Sequence, residues 1–378
     1  MIVQHPLLWC AVLLMAGMAI GFHFPFPCYL PLLAVAVVAS TQTLRTKHLH
    51  DVMTLIVWLL LGCSRAVVTD ADCQEPAWIS MTKAKAKTVQ TSLVARIESA
   101  GVAPRTLAVC SALAVGKKDG LKRDIRQAYA RVGASHLLAL SGMHLGIIYG
   151  FLYFFLIHHV RHGHWRWFSL PVVLLCLWGY ALVAGMPVSL VRAALMLSLL
   201  SVLLLMQFDT DPLHPLALSA IVILMVEPAS LLSVSFQLSF AAVFFLLSLW
   251  SPLSNRFPEL NWAVKLMAVS CVAQLGTMPL TLYYFHQLPL LAPLLSLVLI
   301  PMTTLIIYLT LACIVLPIAP LAWTLNLVED CQQRLIDVAG SIPCGTLTDI
   351  YPSAILVALI YAAMIVAVVR LRTRISGR

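Results

Sequence analysis

The sequence predicts an all-α polytopic membrane protein of about 10 to 12 transmembrane helices with proline-broken or re-entrant segments, at about 20 apolar residues per crossing. Three observations predict it. Of the 378 residues, 61% are hydrophobic and 10% charged, against an apolar share of roughly 45 to 50% in soluble domains. The mean hydropathy is +0.95. Apolar runs recur from end to end and leave little room for a separate aqueous domain. A water-soluble globule is excluded.

The first apolar run, 7–22, has no basic n-region before it and no small-residue cleavage site after it, so it reads as a retained anchor and not a removable signal peptide. Runs at 29–40 and 52–68 complete an N-terminal group of helices over 1–68. The stretch 69–135 is more polar and is the one sizeable soluble piece, its part 69–112 reading as a short extracytoplasmic loop region. Further crossings follow at 137–157, 168–184, 188–208, 213–226, 229–250, 262–282 and 353–369, and 371–378 forms a basic tail. Between 288 and 328 the apolar run is too long for one simple helix and carries Pro289, Pro293, Pro301, Pro317 and Pro320. It reads as broken or re-entrant helices, tolerated where protein or water covers the released backbone groups. Arg45, Lys47, Arg161, Arg166 and Arg256 fall on one side if the amino terminus is cytoplasmic, which places 69–135 outside.

The formal charge, 24 Lys and Arg against 15 Asp and Glu, is +9 and suits anionic partners such as lipid head groups or nucleic acid. Ten cysteines include no CxxC pair, so no zinc module is read. Cys73 and Cys110 can pair if their compartment is oxidising. His158, His159, His162 and His164 lack an acidic or thiol companion and read as a solvated basic loop. There is no GxxxxGK[ST] phosphate loop and no HExxH or HxHxDH cluster. Hence no catalytic residue, metal ligand or cofactor is assigned, and any energy input comes from a partner or a gradient.

Polar groups within apolar helices are the functional candidates, because an ionisable side chain at membrane depth is expensive and persists where it lines a path or finds a partner. Ser141 and His144 lie three apart on one helix face, and Gly142, Gly146 and Gly150 recur every four residues beside them. The glycines form either a bare groove or a small-xxx-small packing seam. Arg192 follows Pro187 by about one and a half turns, with Ser189 on its face. It is either a fixed positive charge facing an anion path or a side chain snorkelling to the interface. Ser233 with Gln237, and Ser235 with Ser239, give one helix two hydrogen-bonding faces. In Gln274 to Pro279, the proline releases a carbonyl one turn back that Gln274 can satisfy. Gln237 and Gln274 equally suit interhelical glue.

The run Val132-Gly133-Ala134-Ser135-His136-Leu137-Leu138-Ala139-Leu140-Ser141-Gly142-Met143-His144-Leu145-Gly146 resembles the GxxHLLAISGLHxG core of the ComEC competence membrane channel family. Residues 191–196 resemble its RAxxM segment, 236–243 its FQLSFxAV segment and 274–279 its QLxTxP segment. Four motifs occur in the family's order. The resemblance implies a competence-type channel domain over 113–370, in a multi-pass protein of the bacterial inner membrane that carries one strand of transforming DNA into the cytoplasm. It makes Ser141, Gly142, His144, Gly146, Ser189, Arg192, Gln237, Ser239 and Gln274 candidates for the strand path. Implied partners are single-stranded DNA, membrane lipids, and a separate DNA receptor, nuclease and cytoplasmic motor. The family's OB-type and metallo-beta-lactamase-like domains are not read in this chain, so degrading the unwanted strand is expected to fall to another protein.

A polyanionic strand crosses hydrocarbon only where a wet, positive lining replaces water. Lys117, Lys118, Lys122, Arg123, Arg126 and Arg131, just before the His144 helix, can form a basic vestibule that gathers it, or a basic interfacial helix lying on anionic lipid. Two other classes stay open: a secondary transporter for a small anion, which Arg192 and broken helices would also serve, and an intramembrane serine hydrolase using Ser141 and His144.

Overall fold

The computed structural model describes the chain apart from residues 1–5, 25–31, 34–35, 38–46, 69–76, 118–119, 139–140, 159–164, 206–210, 212, 251–253, 255–258, 343–344 and 377–378. Most of the crossing expected at 29–40, the side chains of the histidine loop, Cys73, Lys118, Ala139 and Leu140 lie outside the described residues.

In chain order the helices are α1 (Pro6–His23), α2 (Lys47–Val68), α3 (Ala77–Ser99), α4 (Pro104–Cys110), α5 (Arg123–Arg131), α6 (Ser135–Leu138), α7 (Gly142–Leu152) and α8 (Trp165–Val183). There follow α9 (Val188–Leu205), α10 (Leu213–Val226), α11 (Val234–Phe245), α12 (Trp262–Phe285), α13 (Ala292–Val315), α14 (Ala319–Gly340) and α15 (Ala354–Ser376). Strand β1 (Leu288–Pro289) pairs antiparallel with β2 (Thr346–Leu347). The fold is all-α. Two compact units are present, one of residues 1–75 with 202–240 and the other of residues 76–201 with 241–378.

In the first unit α1 packs along α2. Glycines explain how closely: a Cβ added at Gly17 would collide with the Leu59 carbonyl, and one at Gly62 with the Leu14 carbonyl. Helices in lipid gain little from apolar burial against one another, so backbone approach of this kind supplies the dispersion contacts that hold them. Arg65 donates from Nε to the Met225 carbonyl at 2.8 Å, a cation at the negative end of α10.

In the second unit one apolar core joins α3, α4 and α5 to α13 and α14, through Ile97, Val109, Leu113, Tyr129, Leu299, Ile306, Leu325 and Ile336. A smaller cluster, Leu145, Val173, Leu177, Leu190 and Ala194, joins α7, α8 and α9. The polar stretch between the early helices and Ser135 is therefore largely helical where described, and its apolar faces complete the unit's interior.

Helices α12 and α13 and the part Ala354–Leu371 of α15 are long and apolar enough to cross a membrane. Each of α12 and α13 has 24 residues. At 1.5 Å per residue that is about 36 Å, against a hydrocarbon core of about 30 Å. Shorter apolar helices accompany them, including Gly142–Leu156, Ser189–Leu203 and Val234–Trp250. One expectation is corrected: Pro301 sits inside α13 without breaking it, because a long helix survives the loss of one backbone bond. The chain interrupts at Leu316 to Ile318 instead, and α14 beyond it is amphipathic, with Glu329, Gln332 and Gln333 buried beside Leu325 and Ile336.

Candidate functional site

Ser141 is the N-cap of α7, and its extended backbone (φ −122°, ψ 171°) stops the helix from starting earlier. Its N–H donates to Nδ1 of His144 at 3.3 Å, and its Oγ lies 3.1 Å from the same nitrogen. Such reciprocal closure of a helix start satisfies a backbone donor that the helix itself cannot. Because Nδ1 accepts, the proton of the neutral imidazole sits on Nε2. His144 is wholly buried, and Nε2 has no hydrogen-bond partner among the described residues. Their pairing is thus a capping arrangement within one turn.

Arg192 is 1% exposed. It lies inside protein, which removes the reading of a side chain reaching out to the membrane interface. The chain enters its helix through two left-handed residues, Gly185 (φ +82°) and Met186 (φ +53°). Half-buried Ser189 precedes it by one turn. The neighbouring Ala193 sets the spacing to α7: a Cβ added at Gly142 would stand 3.3 Å from the Ala193 Cβ. Further along α7 the picture reverses. An added Cβ at Gly146 or Gly150 meets no described atom within 4 Å. The glycine row thus has a packed start at Gly142 and open space beside Gly146 and Gly150. Tyr308 of α13 donates to the Ile147 carbonyl at 3.3 Å beside it.

Gln274 does not satisfy its own helix, as the sequence allowed. Its Nε2 donates to the Pro289 carbonyl at 2.7 Å, because the side chain points off α12 toward β1 while Thr277 Oγ hydrogen-bonds back to Ala273 and Gln274. The Pro289 ring in turn occupies the space beside Gly133, where any Cβ would collide with it, and Gly133 has a φ of +73° that glycine alone adopts readily. Thr346, opposite Pro289 in the strand pair, donates to the Arg131 carbonyl. The first and last motifs therefore meet at one node. A cavity of about 220 Å³ adjoins it, lined by Arg131, Val132, Gln287, Leu291, Gly345 and Thr346 among others. Gly276, two residues past Gln274, makes a second junction: a Cβ there would stand 2.7 Å from the Phe245 Cβ, and Tyr361 of α15 donates to its carbonyl at 2.9 Å.

Gln237 and Ser239 belong to the first unit. Gln237 donates from Nε2 to the Leu231 carbonyl at 3.0 Å, closing the turn before α11, and Ser239 is half-buried. Most of the described cations of the basic group lie at the surface. Lys122, Arg123, Arg126 and Arg131 are exposed and Lys117 is half-buried, while Ile125 and Tyr129 anchor the opposite face of α5 in the core.

Sequence reasoning missed the inner face of α14. Glu329, Gln332 and Gln333 are all at most 4% exposed, and Gln332 donates to the Tyr129 hydroxyl at 2.9 Å. A signal existed: Leu325, Glu329, Gln332 and Ile336 recur at spacings of three and four. It was hidden because the run was divided at residue 328, just where the polar face begins.

The family model described as Competence protein matches residues 113–374. The chain is 33% identical over 202 residues to ComE operon protein 3 of Bacillus subtilis (strain 168), a match covering 53% of this chain and 25% of that protein. The chain thus spans about a quarter of the length of that curated relative. No solved structure matches the chain.

Proposed function

We propose, from the premise that the chain belongs to the competence protein family, that it acts in DNA uptake as a multi-pass inner-membrane conduit passing single-stranded DNA into the cytoplasm. The observation that carries this reading is Arg192, a guanidinium at 1% exposure on the helix whose next residue abuts the start of α7. A cation held inside protein at membrane depth is expensive and marks a path for charged groups, and a guanidinium suits phosphate. The open space beside Gly146 and Gly150 offers room for a chain, and the exposed cations of α5 supply the electrostatic capture that single-strand binders use. In this reading the protein positions and screens charge and carries out no bond-breaking. Its partners in this reading are a DNA receptor, a nuclease and a cytoplasmic motor.

The test is Arg192→Glu and Arg192→Lys in the native host, with DNA arrival in the periplasm and in the cytoplasm assayed separately. The expected result is normal periplasmic DNA, cytoplasmic entry lowered at least about 100-fold in Arg192→Glu, and partial entry in Arg192→Lys, since both charge and fork geometry matter at a phosphate site. Normal cytoplasmic entry in Arg192→Glu at wild-type protein levels overturns the reading. The same arginine suits a small-anion transporter, which labelled-anion uptake by proteoliposomes would identify.

A further inference from the structure

The inner face of α14 buries three polar side chains, and their hydrogen bonds do not close. Gln332 is satisfied at both ends: Nε2 donates to the Tyr129 hydroxyl at 2.9 Å, and Oε1 accepts from Thr303 Oγ1 at 3.4 Å. Glu329, 0% exposed, accepts from Thr106 Oγ1 at 3.3 Å through Oε2, while its Oε1 is buried with no partner among the described residues. Gln333 donates from Nε2 to Asp337 Oδ1 at 2.8 Å. That contact fixes the amide, because turning it over would set its carbonyl oxygen against the carboxylate. Gln333 Oε1 is therefore a second buried acceptor without a donor among the described residues.

These two oxygens belong to residues four apart, on one face of one helix. A single hydrogen shared between them would satisfy both. We infer that Glu329 is a proton-binding site, held as the neutral acid in the interior of the second unit with its Oε1–H donated to Gln333 Oε1, and that its ionisation loosens α14 from α4 and α5.

The alternative, a carboxylate anion at this position, keeps both acceptors unsatisfied and withdraws a charge from water. Burial pushes Glu329 above the ordinary carboxylate range; the exposed Arg105 opposes this, Asp330 and Asp337 reinforce it, and the Thr106 hydrogen bond opposes it. Tyr129 and Cys110, the other titratable groups coupled to it across the seam, are both neutral acids pushed upward. A site that holds a proton when closed and releases it when water enters links opening of the seam to proton concentration. The site stands whichever anion passes through the protein.

The sign of the pH effect follows. A carboxyl raised in the folded state contributes stability that is lost as pH climbs from the ordinary carboxylate range through the folded value. The experiment uses the purified full chain in nanodiscs, wild type and Glu329→Gln, melted between about pH 5 and about pH 9, with infrared spectra of both. The expected result is a protonated-carboxyl band at neutral pH in the wild type that Glu329→Gln lacks, and a melting temperature that falls with pH by at least about 2 °C more in the wild type. Absence of the band in the wild type, or parallel melting profiles for the two proteins, overturns the inference. If Glu329→Gln does not fold, the wild-type band and its bleaching at high pH decide alone.

Discussion

Gln274 holds the Pro289 carbonyl at 2.7 Å, and the ring of that proline fills the space that the missing side chain of Gly133 leaves. One short turn thus locks two motifs whose residues stand far apart in the chain. Gly133→Ala must both adopt a left-handed backbone and displace Pro289, so we expect a loss of about 1 to 3 kcal/mol. Gln274→Leu removes the donor from a carbonyl and should cost about 1 to 3 kcal/mol. Thermal melting of the purified variants measures each. The pair should be less than additive, because both act on the same turn.

Gly146 and Gly62 should respond in opposite ways. At Gly146 an added methyl meets nothing, so Gly146→Ala keeps or raises stability, by up to about 1 kcal/mol from helix propensity. Gly146→Leu should leave insertion and melting intact while lowering DNA entry, since it fills the open space proposed as the path. Gly62→Ala should instead force α1 from α2 and lower the yield of folded protein. Equal entry in Gly146→Leu and wild type would mean that this space is not on the path.

Ser141→Ala and His144→Ala separate capping from chemistry. Loss of the cap should cost about 0.5 to 2 kcal/mol, seen as a lower melting temperature with transformation reduced in step. An activity that disappears in Ser141→Ala at unchanged stability, with hydrolysis of a lipid or peptide substrate, would instead support the serine hydrolase.

Exposed cations on α5 should act through salt. Replacing Lys122, Arg123 and Arg126 by Ala should weaken single-stranded DNA binding by the nanodisc-held protein and flatten its salt dependence by roughly 0.7 in log–log slope per lost phosphate contact. An unchanged slope would assign the patch to lipid.

Tyr129→Phe leaves the Gln332 amide without its acceptor in a buried seam. The expected cost is about 1 to 3 kcal/mol, read from melting. Replacing Gln332 by Leu in the same chain should recover part of it, since an apolar pair needs no partner.

The all-α class and the spans of α12 and α15 were legible because a long apolar run has few alternatives, whereas α13 was hidden by prolines that its helix accommodates. The node around Pro289 was not. Gly133, Gln274 and Thr346 carry no shared period, and a two-residue strand pair between Leu288 and Leu347 leaves no mark on local hydropathy. Arg192 was visible as an arginine in an apolar helix, yet only the fold could show that it is enclosed by protein. The α14 face was misread for a different reason. Prolines at 317 and 320 made the segment resemble more broken membrane helix, whereas Pro320 simply starts a new helix, a position where its missing N–H does no harm.

Thr346 reaches back 215 residues to the Arg131 carbonyl. During synthesis at about 5 to 20 residues per second, that fastening cannot close until roughly 10 to 40 s after Arg131 has left the ribosome. The segment around Gly133 must wait, already emerged but not yet pinned, until a stretch made 215 residues later completes the first motif to appear.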